Sequence, residues 1–113
     1  MNIQKLLQEG YNLTDIKALL LIFINNINDY KLIFTQNDEK NTIASLHKLK
    51  GGLILLEYEQ LVDFVNKIEK DLKTYGINKT KSKIINLIDD CYQQSLIAMS
   101  NLDSLIKTSD INL

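Results

Sequence analysis

The chain has 113 residues, 45% of them apolar, and its 13 basic residues, all lysine, face 14 acidic ones for a net charge of -1. That length suits one domain with a real core, and a near-neutral balance without any arginine argues against a nucleic-acid binder, which shows a basic excess and bidentate arginine contacts. A single cysteine, Cys91, and a single histidine, His47, leave neither an intramolecular disulfide nor an ordinary zinc site.

The lone cysteine fits a reducing, cytoplasmic compartment. The longest apolar run, Ala18 to Ile24, is too short to cross a bilayer. The N-terminal Met1–Lys5 lacks the apolar core and small-residue cleavage site of a signal peptide. A soluble protein is expected.

There is no proline, and the glycines stand at Gly10, Gly51, Gly52 and Gly76, so long helices joined by short turns are expected. Ile3 to Gln8 reads as a short helix, with Ile3, Leu6 and Leu7 on one side and Gly10 ending it. Asn12 or Thr14 caps the next helix, and Asp15 lies favourably near its positive end. This helix runs to about Phe34 on a stripe of Ile16, Leu20, Phe23, Ile27, Tyr30 and Phe34. Leu21, Ile24 and Leu32 give it a second apolar strip, more than one neighbour can cover. The expectation is that the N-terminal helix lies across the bundle and covers part of it. The alternative leaves some of the strip open for a partner.

Thr35 to Asp38 is a polar turn, with Asn37 or Asp38 as the next cap. Ile43, Leu46, Leu49, Leu53 and Leu56 then recur at the three- and four-residue spacing of one helix face. The following helix carries Leu61, Val65, Ile68 and Leu72 and ends at Gly76 in the left-handed role. Asn78, Thr80 or Ser82 starts the last helix, whose stripe is Ile84, Ile88, Cys91, Ser95, Ala98 or Met99, Leu102 and Leu105. No strand-like alternation competes. The predicted fold is all-α: an antiparallel up-down-up-down four-helix bundle with a short additional N-terminal helix. The core spans about 13–107, and 108–113 is expected to fray.

His47 sits in the third of these helices, in the run His47-Lys48-Leu49-Lys50-Gly51-Gly52. At roughly 100° per residue, it projects well over 90° from the centre of the leucine stripe. Lys40, Ala44, Gly51 and Ile54 share its side, and Lys50 lies one turn away on its flank. A helix that buries its leucines therefore holds this imidazole out to solvent.

The pattern resembles the histidine-containing phosphotransfer (HPt) family, whose hallmark is His-x-Leu-Lys-Gly on an exposed helix face; here it stands as His47-Lys48-Leu49-Lys50-Gly51. Phe23 to Phe34 followed by Asn37-Asp38 looks like the family's preceding helix and turn. Leu61, Ile68 and Glu69 fall where the family carries its next helix, with Glu69 at a place often held by Glu or Gln. The likeness covers roughly residues 13 to 107. One departure stands out: the family usually turns the chain with a glycine ten residues after the histidine, and Glu57 occupies that place.

The resemblance implies a phosphoryl carrier of a two-component phosphorelay, a monomer that takes a phosphoryl group on His47 from a receiver-domain aspartyl phosphate and passes it to another receiver. Its partners would be response-regulator receiver domains and a hybrid sensor histidine kinase. The magnesium would belong to the receiver, so this chain needs no cofactor or metal of its own. Nothing here binds ATP, and a kinase is not expected. An imidazole with an unperturbed pKa of about 6.5 is mostly neutral at cellular pH and carries a nucleophilic lone pair.

Lys50 would stabilise charge on the transferred group, and Gly51 would leave the approach open. Glu69 could accept a hydrogen bond from the second ring nitrogen, or equally serve as a surface carboxylate near Lys50 or Lys73. Lys40, Ala44, Lys48 and Ile54 would border a docking surface. Two rival readings remain: an adaptor that docks receivers or kinases without phosphotransfer, and a helical dimerisation module using the surplus strip. Other chemistry finds no footing. Ser45 lies roughly 160° around the helix from His47, so the two cannot form a hydrolytic pair. Cys91 falls on a core stripe.

Overall fold

The computed structural model describes the backbone of residues 1–111 and the side chains of 1–108. Its helices are α1 (Ile3–Gln8), α2 (Leu13–Phe34), α3 (Glu39–Leu55), α4 (Glu59–Tyr75) and α5 (Ile77–Ile111), with no strand among the described residues. The predicted all-α bundle with a short leading helix is the fold observed. α2 packs on α3 and α5, and α4 packs on the same two, so the four long helices close a ring. α5 runs 35 residues, about 52 Å at the helical rise, and sets the 55 Å long axis of the molecule.

Local chemistry places the helix starts. Asn12 caps α2 in a reciprocal box with Asp15: its Oδ1 accepts from the Asp15 amide at 2.8 Å, and its own amide donates to the Asp15 carboxylate at 3.3 Å. Asp38 caps α3 by accepting from the Asn41 amide at 3.0 Å. Ion pairs show the antiparallel register of α2 and α5. Lys17 meets Asp103 at 2.8 Å and Lys31 meets Asp89 at 3.8 Å, so moving forward along α2 moves the partner backward along α5.

The stripe of α2 is buried at Ile16, Leu20, Phe23, Ile27 and Phe34, with Tyr30 half-buried, and that of α4 at Leu61, Val65, Ile68 and Leu72, as their spacing predicts. Three stripes need correction. On α3 the buried face is Thr42, Ser45, Leu46, Leu49 and Leu53, continued by Leu56, while Ile43 is 42% exposed. The helix is rotated so that two short hydroxyl side chains, not the isoleucine, face the neighbours. On α5, Leu87 is fully buried and Leu105 is 42% exposed. Leu105 lines a shallow open hollow there with Ile3 of α1. Nor does α1 cover the second strip of α2. Leu21 and Leu32 remain exposed, because α1 rests over the far end of the bundle, beside Tyr58 and the C-terminal half of α5.

Two turns differ from the expected chemistry. Gly76 has a positive φ of 81° but an extended ψ of 174°, outside the left-handed helical cap geometry and in a region open essentially to glycine alone. α5 then starts at once, at Ile77, rather than at Asn78, Thr80 or Ser82. Thr80 is buried, and its hydroxyl donates to the Gly76 carbonyl at 2.8 Å. The tail expected to fray begins at Thr108; α5 is helical through Ile111, and 112 and 113 lie outside the described residues.

The turn between α3 and α4 is sharper. Glu57 takes φ +60°, the left-handed region that costs a side-chain-bearing residue free energy. This is the position where the resembled family carries glycine. Its carboxylate is held by Lys5 of α1 at 3.1 Å, so the short N-terminal helix braces the turn that Glu57 makes.

Candidate functional site

The site is the outer face of α3. Burial of Leu46, Leu49 and Leu53, each at 0% exposure, fixes the rotation of the helix, at about 1.5–3 kcal/mol per leucine removed from water. With that rotation His47 points away from the core and is exposed. Lys40, Ala44, Lys48, Gly51 and Ile54 are exposed with it. Ser45 is buried, which keeps it from the imidazole.

The sequence stripe placed Ile43 in the core, and it belongs to this face. It lies one turn before His47 and on its side, so Ile43 and Ile54, at 42% and 55% exposure, bracket the histidine along one face. Its apolar side chain signalled core; only the burial of Thr42 and Ser45 shows that the face has turned.

Lys50 sits at the edge of this face, toward α4, and its ammonium reaches the Glu69 carboxylate at 3.4 Å. The pair is about a quarter exposed on each side, 27% and 24%. The carboxylate weighed as an orienter of the imidazole therefore engages Lys50 in this structure. At that length and exposure the pair adds little stability, and the ammonium is free to exchange partners.

The adjacent glycines have unlike surroundings. A Cβ on Gly51 would meet nothing within 4 Å, whereas one on Gly52 would stand 2.9 Å from Cδ2 of Phe23. Phe23 in turn stacks on Tyr58, ring centroids 6.4 Å apart. Gly52 thus lets α2 close against α3 directly behind the histidine face, and Gly51 leaves the front of that face bare.

Two burial-driven shifts lie in the core behind the site. Burial pushes the Tyr58 phenol up, and its hydroxyl donates to the Gln94 carbonyl at 3.4 Å. Burial pushes the Cys91 thiol up to about 12, so this thiol is a packing group and not a nucleophile.

Beside the α3–α4 turn, Leu53, Ile54, Tyr58 and Val62 floor a hollow of about 300 Å³ rimmed by Glu57, Glu59 and Asp63. Among the described residues no group of three His, Cys, Asp or Glu could hold a metal ion. Nor, among them, is any helix long and apolar enough to cross a membrane. Set against protein-family models, curated proteins and solved structures, the chain matches none.

Proposed function

We propose that this protein is a histidine phosphotransfer carrier of a cytoplasmic two-component phosphorelay. The observation that carries the reading is the exposed His47 on the outer face of the α3 helix, between Lys50 and the open Gly51. A neutral ring nitrogen attacks the phosphorus of a receiver's aspartyl phosphate in line. The N–P bond forms as the P–O bond to the aspartate breaks, and the carboxylate leaves. The reverse step hands the group to a second receiver. Lys50, released from Glu69, offsets charge on the moving phosphoryl group.

Ile43 and Ile54 support docking of a receiver on this face, and they also favour the second reading, a docking adaptor that transfers nothing. One experiment separates the two. Incubation with a phosphorylated receiver domain should label this chain on His47 alone, with the acid lability and alkali stability of phosphohistidine. His47→Gln should keep the fold, because the site is exposed and the two residues differ little in helix propensity, and should abolish labelling. Equal labelling of wild type and variant would end the phosphotransfer reading; binding without labelling would leave the adaptor.

A further inference from the structure

The outer face of α2 repeats the geometry of its inner face. Inside, Ile16, Leu20, Phe23, Ile27, Tyr30 and Phe34 alternate steps of four and three residues. Outside, Thr14, Ala18, Leu21, Asn25, Asn28 and Leu32 follow the same alternation, and all six are exposed. Steps of four and three keep six residues on one line along a helix, and here Ala18, Leu21 and Leu32 are its apolar members while Thr14, Asn25 and Asn28 are uncharged and polar. This seam holds no charged residue, unlike the lysine-bearing outer face of α4 at Lys67, Lys70 and Lys73. Among the described residues nothing covers it: Leu21 is 45% exposed and Leu32 66%.

The order of residues identifies the occupant. Leu21-Asn25-Asn28-Leu32 reads the same in both directions, with steps of four, three and four residues. A seam with that mirror order is self-complementary under a two-fold axis between residues 26 and 27, the property an isologous interface requires. We propose that a second copy of this chain docks on the outer face of α2, its own α2 running antiparallel. Leu21 of each copy then packs on Leu32 of the other. The four asparagines gather at the axis, where paired amides fix register as a polar residue in a coiled-coil seam does.

The antiparallel sense is favoured over the parallel one by charge. Antiparallel helices oppose their dipoles, and the two copies of Asp29, which flanks the seam, are kept apart rather than level. A single 22-residue helix makes a small interface, so the pair is weak and reversible. His47 lies exposed on α3, a different helix from the seam, so the pair leaves it accessible. The proposal stands independently of the phosphotransfer reading.

Sedimentation equilibrium from about 1 μM to about 1 mM spans the affinities such a seam supports. The weight-average mass should rise from 13.0 kDa toward twice that value. Leu21→Glu/Leu32→Glu should hold the chain at monomer mass with an unchanged melting curve, since both side chains are exposed. For direction, Leu21→Cys mixed with Leu32→Cys should yield a mixed disulfide dimer under mild oxidation, and Leu21→Cys alone should not; the buried Cys91 stays silent.

Monomer mass throughout the titration would overturn the proposal, as would self-association that survives the double glutamate variant. Self-cross-linking of Leu21→Cys would overturn the antiparallel pairing. A wild type that stays monomeric while the double variant loses receiver binding would also overturn it, and would assign the seam to the receiver. Loss of label in His47→Gln bears on none of these readouts.

Discussion

Gly51 and Gly52 are chemically identical neighbours, yet one step along α3 carries the chain from open space to a place where an added Cβ would stand 2.9 Å from Phe23. On the inner face every atom has a neighbour, and a residue is constrained by volume. On the outer face side chains have room, and a residue is constrained only by what must reach it. The same substitution should therefore be read out by different instruments on the two faces: melting temperature inside, transfer rate outside.

The largest effects come from putting leucine at each glycine in turn. Gly52→Leu should destabilise the fold by about 1–3 kcal/mol through overpacking against Phe23. Gly51→Leu should melt no lower than wild type but transfer poorly, because its side chain fills the receiver's approach. Thermal melting beside single-turnover transfer from a phosphorylated receiver measures both. Wild-type transfer by Gly51→Leu would remove the open-approach role from that residue.

Next in size is the edge of the face. Lys50→Ala should slow transfer at saturating receiver by about 1–2 kcal/mol in barrier, less than a fully enclosed electrostatic contact would lose. Glu69→Gln gives the pair a sign. If Glu69 mainly holds Lys50 back, the variant transfers as fast as wild type or faster; if it orients the imidazole, transfer slows. The 3.4 Å contact with Lys50 makes the first the expected outcome.

The inner side also has a pH signature. Burial holds the Cys91 thiol neutral up to about 12, against an ordinary value of 9.0. Above pH 9 the unfolded chain gives up this proton and the folded chain keeps it, so the unfolded state binds fewer protons and stability falls as pH rises through the window to about 12. The slope is at most about 1.4 kcal/mol per pH unit. Tyr58, raised by burial, adds in the same direction above its ordinary value of 10.0. Alkaline melting of wild type against Cys91→Ala should show the thiol's share as a difference in slope. The smallest effect is expected for Gly51→Ala, which meets no atom and should gain up to about 1 kcal/mol from helix propensity, seen as a modest rise in melting temperature.

Much of this was legible in residue spacing. The leucines of α3 place His47 outside, and the stripes of α2 and α4 are the ones buried. What spacing could not show is where an apolar side chain finds no neighbour. Ile43 and Leu105 look like core residues by type, and their exposure follows from helix rotation and helix length, which are set by packing between elements. Thr42 and Ser45 are the reverse case, polar by type but small enough to sit where α3 meets its neighbours. The pairing of Lys50 with Glu69 depends on the register of α3 against α4, which neither helix encodes alone. Glu57 was legible only by what it replaces: a carboxylate gives no hint of a positive φ, whereas the glycine carried there by the resembled family does.

The fit of Gly52 beneath Phe23 has an evolutionary consequence. The two positions lie 29 residues apart, yet they share one volume, and neither can change freely while the other stays. A lineage that placed a side chain at 52 would first need a smaller residue than phenylalanine at 23, and the reverse order would pass through an overpacked intermediate. Trimming Phe23 would also withdraw the ring that stacks on Tyr58, so the path is narrow in both directions. Drift in this protein should run easily across the surface of α4 and slowly through this pair, where a substitution is admissible only as half of a coordinated change.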